Sequence, residues 1–274
     1  MSILHAIVFG MVEGITEFLP ISSTGHLILT ADILRLPSNE FQKSFEIIIQ
    51  LGAILAVVVW YWKKLWQWET IAKLAVAFAP TAVLGLAFYR VIKHFLLGNT
   101  MVVLGALFLG GVFLVVFEWY LGQRLNRPLS ISKDKVEPAL LILSDTNSIQ
   151  TVGYLQSFII GLFQSIAMIP GVSRSAATIV GGLILGLNRQ TIVEFSFLLA
   201  VPTMLAASCL DIYKSAGSFA GADYWALGVG FVVSFFVALA VIQWLLKYIQ
   251  KNSFISFGVY RIIIAVLFWV VLIL

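Results

Sequence analysis

Long apolar runs alternate with short polar interruptions along the chain, and the runs have the length of helices that cross a bilayer. Residues 44–62, 70–92, 100–121, 191–213, 224–248 and 254 to the C-terminus each predict one span. Two further apolar segments, 3–35 and 149–187, are broken in the middle, at Pro20 and at Pro170-Gly171-Val172-Ser173-Arg174. Each predicts two short helices with an irregular joint. Backbone of that kind at membrane depth survives only where protein buries it or where it lines a cavity. Pro37, Ser38 and Asn39 predict a turn before the first long span, and the Trp-rich stretch around Lys63 and Lys64 predicts an interfacial anchor.

The two halves echo each other. Gly10 aligns with Gly161, Glu13 with Gln164, and Pro20 with Pro170 after a one-residue gap. A Phe and a Glu follow each break near the start of the next long run, Phe45-Glu46 and Glu194-Phe195. The layout predicts a first repeat over residues 1–121, a polar cytoplasmic loop over 122–148, and a second repeat over 149–274. With each break re-entrant, each half has three full crossings, an odd number that sets the halves in opposite orientations. The fold class expected is therefore an all-α, polytopic membrane bundle of two inverted repeats, each one broken re-entrant pair plus three transmembrane helices. One face then collects Lys63, Lys64, Arg124, Arg127, Lys133, Lys135, Arg189, Lys247 and Lys251, the other only Arg35, Lys43, Arg90, Lys93 and Lys214. The richer face reads as cytoplasmic, with both termini outside.

Composition narrows the class. Of 274 residues, 61% are hydrophobic and 11% charged, and the mean hydropathy is +1.01. That excludes an ordinary soluble domain, and the long apolar runs exclude a β-barrel. The net charge of +4 reports orientation here and gives no sign of a nucleic-acid partner. A single cysteine, Cys209, excludes an intramolecular disulfide and is expected to pack in its apolar run. The N-terminus lacks a basic region and a small-residue cleavage site, and reads as mature sequence.

The chemistry sits in the breaks. Glu13 and Glu17 are one helical turn apart on one face. An acidic residue at bilayer depth costs about 2.5–3.5 kcal/mol on insertion scales. The pair therefore calls for a distant cation, a metal, a shared proton or a watery cavity. Beyond Pro20, Ser22, Ser23 and Thr24 can cap a restarting helix whose bare N–H groups suit an anion. His26 follows, either as a satisfied polar residue or as a catalyst. The second break offers Ser173, Arg174, Ser175 and Thr178 at another restart. Arg174 has no acidic neighbour in sequence; its fork suits phosphate, or else neutralises Glu13 or Glu17 across the repeat interface. Together these groups fit phosphoryl chemistry. Glu46 and Glu194 read as buried hydrogen-bonding partners or distal acids.

The stretches EGITEFLPISSTGHL at 13–27, PGVSRSAAT at 170–178 and EFSFLLAVP at 194–202 resemble the undecaprenyl-diphosphatase family, also called bacitracin-resistance proteins. The resemblance covers the whole length, with no departure at a motif position. It implies an enzyme of the bacterial cytoplasmic membrane that removes the terminal phosphate of undecaprenyl diphosphate and returns the carrier lipid to peptidoglycan synthesis. It also implies a divalent cation, Mg²⁺ or Ca²⁺, an active site opening to the outer face, and bacitracin resistance. On this reading Glu13 and Glu17 hold the metal, or one acts as base. Arg174 with Ser173 and Ser175 grips the leaving phosphoryl group, and Ser23 or His26 attacks or activates water. Ser22, Thr24 and Thr178 complete the substrate contacts, and the prenyl tail lies among membrane lipids and between spans. The competing class is a transporter or flippase of a prenyl phosphate lipid, since inverted repeats with broken helices are also transporter architecture. The number of copies in the assembly stays open.

Overall fold

The structure, a computed structural model, describes residues 1–36, 40–88, 99–125, 149–215 and 224–273. Those residues are helical throughout, joined by turns: α1 Ile3–Thr16, α2 Ser23–Ile33, α3 Glu40–Leu65, α4 Trp68–Ala87, α5 Thr100–Leu125, α6 Tyr154–Ile166, α7 Arg174–Ile184, α8 Arg189–Ser215, α9 Tyr224–Tyr248 and α10 Ile255–Ile273. One turn of 3₁₀ helix, Ile149–Thr151, precedes α6. The expected turn at Pro37, Ser38 and Asn39, most of the loop 122–148, and Arg90 and Lys93 lie outside the described residues.

Five helices, α3, α4, α5, α8 and α9, are long and apolar enough to cross a membrane, and α10 adds the shorter apolar stretch Ile255–Val271. The protein is thus a multi-pass, all-helical membrane protein. Each arm of the broken segments is by itself too short to cross. The arms hold 14, 11, 13 and 11 residues, about 16–21 Å at the helical rise, against a hydrocarbon core of about 30 Å. Trp66 and Trp68, at the turn between α3 and α4, are strongly exposed, as interfacial anchors are. Cys209 departs from expectation. It is exposed on α8 and does not pack in the core.

The halves interlock. The arm α1 packs on α9 of the other half, α6 packs on α4, and α5 packs on α10. Gly10 faces Gly230 and Ser234, and Gly14 faces Ser234 and Ala238, so α1 and α9 run the same way. Gly161 faces Ala77 and Gly85 faces Met168, so α6 runs with α4. The α5 carbonyl of Leu107 bonds Arg261 while Val115, further along α5, meets Gly258, so α5 and α10 run antiparallel. Exchanging the halves maps these pairings onto one another, as an internal repeat does, and opposite orientation of the halves is not in conflict with them. Small residues make the close approaches, because lipid offers no hydrophobic drive and helices gain only by tight packing. At Gly161 an added Cβ would lie 2.0 Å from the Ala77 carbonyl. Gly161→Ala is expected to lose about 1–3 kcal/mol of stability, the usual cost of overpacking, read as a lower melting temperature in detergent.

Two ion pairs stand at one end of the bundle. Arg189 donates two bonds to Glu118, at 2.9 and 2.6 Å. Lys64 pairs with Glu194, which makes Glu194 a structural partner at the end of the bundle. These pairs tie the ends of α3, α5 and α8 together. Glu46 accepts a bond from Gln42 at 3.0 Å.

Candidate functional site

Both short arms restart in the same way. Ser22 caps α2 with φ 73° and accepts a bond from the Gly25 N–H; Ser173 caps α7 with φ 74° and accepts from the Ala176 N–H. A left-handed backbone at a residue other than glycine is uncommon and strained, by about 1–3 kcal/mol, and such residues cluster at functional sites. The strain recurs at one position in each half. Each cap lies nine residues after its partner in the pair Glu13 and Gln164. The true register between the halves is therefore ungapped, and the prolines are offset by one. It superposes Ser23 on Arg174. The same place in the two halves carries a hydroxyl in one and a guanidinium in the other.

The breaks meet. Ser23 Oγ donates to Glu17 Oε2 at 2.6 Å. Arg174 Nη2 donates to Glu17 Oε1 at 3.2 Å, and its Nη1 donates to the Ser196 carbonyl at 2.9 Å. Glu17 thus joins the hydroxyl of its own half to the cation of the other. Arg174 Nε is buried and finds no hydrogen-bond partner among the described residues. A buried donor without an acceptor is costly. Around these groups lies a cleft of about 180 Å³, lined by Glu17, Ser22, Ser23, Thr24, Ser173 and Arg174 together with Thr81, Gln164 and Thr203. The N-termini of α2 and α7, the positive ends of their dipoles, stand at its wall.

Not every expected residue faces the cleft. Glu13 is fully buried one turn behind Glu17, and neither of its oxygens has a hydrogen-bond partner among the described residues. His26 turns away toward α10. Its Nδ1 lies 2.8 Å from the Ser22 carbonyl and its Nε2 lies 2.9 Å from the Tyr260 hydroxyl. A carbonyl only accepts, so Nδ1 carries the proton and Nε2 accepts from Tyr260. The His26 and Tyr260 rings stack at 5.6 Å. Ser175 Oγ donates to the Leu19 carbonyl of the other break at 2.7 Å. Thr178 Oγ1 shares a 2.6 Å bond with Ser196 Oγ. These two hydroxyls brace the wall and do not line the cleft.

Three lining residues escape a reading of motifs. Gln164 Nε2 donates to Thr81 Oγ1 at 2.9 Å and to Thr203 Oγ1 at 3.2 Å, which gives the cleft a polar wall from α4, α6 and α8. Gln164 carries a signal, since it occupies the place of Glu13 in the repeat. Thr81 and Thr203 each lie one residue after a helix-interior proline, Pro80 and Pro202. A single threonine in an apolar run carries no signal of its own.

Comparisons with known proteins agree over nearly the whole chain. A family model for the bacitracin resistance protein BacA matches residues 6–267. The undecaprenyl-diphosphatase of a Sulfurihydrogenibium species is 48% identical over 269 residues, 98% of this chain and 99% of that relative. The undecaprenyl-diphosphatase of Wolinella succinogenes is 46% identical over 98% of this chain and 97% of its own. That of Aquifex aeolicus is 46% identical over 96% of both.

Proposed function

The chain belongs to the bacitracin resistance protein BacA family, and from that premise we propose how its two breaks carry out the family's reaction. The protein is a hydrolase that converts undecaprenyl diphosphate to undecaprenyl phosphate plus phosphate, which recycles the carrier lipid for cell-wall synthesis and confers resistance to bacitracin. The observation that carries the mechanism is the chain Ser23–Glu17–Arg174 across the two halves. Arg174, with the N-terminus of α7, holds the terminal phosphoryl group. Glu17 takes the Ser23 proton as Oγ attacks phosphorus. The bond from that phosphorus to the bridging oxygen breaks, and undecaprenyl phosphate leaves. Water then releases phosphate from Ser23. His26 holds the Ser22 turn from behind, so its removal acts through that turn's geometry. Phosphoryl transfer asks mainly for positioning and charge stabilisation, which is why so few residues suffice.

A divalent cation, Mg²⁺ or Ca²⁺, fits this donor set in one way. No group of three His, Cys, Asp or Glu side chains gathers among the described residues, and Glu17 is the one predicted ligand that lines the cleft. A cation would be held by Glu17, with Glu13 behind it, and chiefly by diphosphate oxygens, as Mg²⁺ commonly is. It would neutralise the charge on those oxygens.

The site opens outward, away from the basic face, in a bacterial cytoplasmic membrane with both termini outside. Lys64 and Arg189 mark the basic end of the bundle. Thr203 lies fourteen residues beyond Arg189 on α8, about 21 Å along the helix and past the middle of a core of about 30 Å. Thr81 on α4 stands at a similar depth from the same end. Lysines and arginines favour the cytoplasmic side, so a cleft in the far half faces out. The defining experiment follows phosphate release from undecaprenyl diphosphate by the purified protein, with and without chelator. Metal-dependent release is expected. No release by folded protein supplied with Mg²⁺ or Ca²⁺ would sink this reading in favour of lipid phosphate flipping, assayed in liposomes.

A further inference from the structure

Arg261 lies in α10, outside both motifs, and is 1% exposed. No carboxylate pairs with it among the described residues. A guanidinium has five N–H donors, and here each ends on a backbone carbonyl. Nε reaches Leu107 at 3.3 Å; Nη1 reaches Pro20 at 3.4 Å and Val172 at 3.0 Å; Nη2 reaches Ala106 and Gly171, both at 3.0 Å. Pro20 belongs to the first break, Gly171 and Val172 to the second, and Ala106 and Leu107 to α5.

A buried cation without a counter-ion is expensive unless dipoles surround it. The carbonyls of the breaks are equally expensive, since they leave a helix at membrane depth without a partner. One planar fork resolves both costs and sets the distance between the breaks. It also sets their sense. All peptide bonds described are trans, so each N–H points opposite to the carbonyl of its own peptide. Turning the Val172 carbonyl to Arg261 turns the Ser173 N–H the other way. Ser173 and Arg174 line the polar cleft, whereas Val172 and Arg261 line a cavity of about 570 Å³ that is otherwise almost wholly apolar. The second break is a wall with Arg261 on its dry side. Gly110 makes room for the fork, since a Cβ there would lie 2.1 Å from Nη2.

We propose that Arg261 is a positioning residue for the hydrolysis: its fork holds the two breaks in the register that brings Glu17 and Ser23 to Arg174 and aims the Ser173 N–H at the phosphate. The inference rests on the hydrolase reading above. Its test compares wild type with Arg261→Lys, Arg261→Met and Gly110→Ala, each purified, checked for a monodisperse folded state, and assayed per folded molecule on undecaprenyl diphosphate. Lysine keeps the charge and loses the fork. In all three variants kcat is expected to fall by about 10²-fold, the effect of an ångström of misplacement, while KM changes by less than about threefold. A role confined to stability would lower the folded yield and leave kcat per folded molecule unchanged. Wild-type kcat in any folded variant, full rescue by Arg261→Lys, or failure of all three to fold overturns the inference. Absence of release by wild type would instead overturn the hydrolase reading itself.

Discussion

Ser23→Ala and Glu17→Gln are each expected to lower kcat by about 10²–10⁴-fold, the range of a positioned general base and its partner. The double variant should be scarcely worse than either single one. Residues that act as a unit are not additive, because once the hydroxyl is gone the carboxylate has no proton to take. The 2.6 Å bond between Ser23 Oγ and Glu17 Oε2 is the structural reason. Rates of phosphate release from the three variants, per folded molecule, check this. Losses that multiply in the double variant would mean that the two side chains contribute separately. A Ser23→Ala enzyme within about tenfold of wild type would mean that water attacks directly and that Ser23 only orients it. Single-turnover trapping adds an independent readout: a phosphorylated Ser23 is expected in wild type and absent from Ser23→Ala.

The breaks were legible because polar residues at bilayer depth are costly and therefore conspicuous. Glu13, Glu17, Ser22, Ser23, Ser173 and Arg174 all stand out from apolar neighbours, and both prolines mark where helices must stop. That Arg174 could neutralise Glu13 or Glu17 across the halves was legible, and its partner is Glu17; which of the other groups touch was not. Glu13 and Glu17 share a helix face, yet only Glu17 reaches the cleft, because a face of a helix that ends in a buried joint is itself divided by depth. His26 follows its proline closely in sequence, but half a turn of α2 decides whether it faces the cleft or Tyr260. Sequence similarity aligned the prolines, whereas the backbone aligns the strained serines. Arg261 is conspicuous by the same rule, but its role was not legible. It sits in an apolar run and its partners are carbonyls, which no sequence pattern records.

Arg174→Lys is expected to lower kcat/KM by about 10²–10³-fold, or about 2.7–4 kcal/mol, the worth of a donor aimed at developing charge. A lysine has one point of charge and cannot serve Glu17, the Ser196 carbonyl and a phosphate oxygen together, as the fork of Arg174 can. Alanine is a poorer probe. It strands Glu17 as a buried, unpaired carboxylate, and breaking such a pair costs about 3–5 kcal/mol in stability, so lost folding and lost catalysis would be confounded. The pair Glu17→Gln with Arg174→Gln separates them. Removing both charges relieves the stranded partner, so the double variant should melt closer to wild type than Arg174→Gln alone. Its phosphatase activity should stay lost, because neither the base nor the phosphate fork remains. Recovery of stability without recovery of turnover is the outcome that places this ion pair in the chemistry. Recovery of both would reduce it to a brace between the two halves, and the catalytic groups would then have to be sought among the hydroxyls of Thr81, Thr203 and Ser173 that share the cleft.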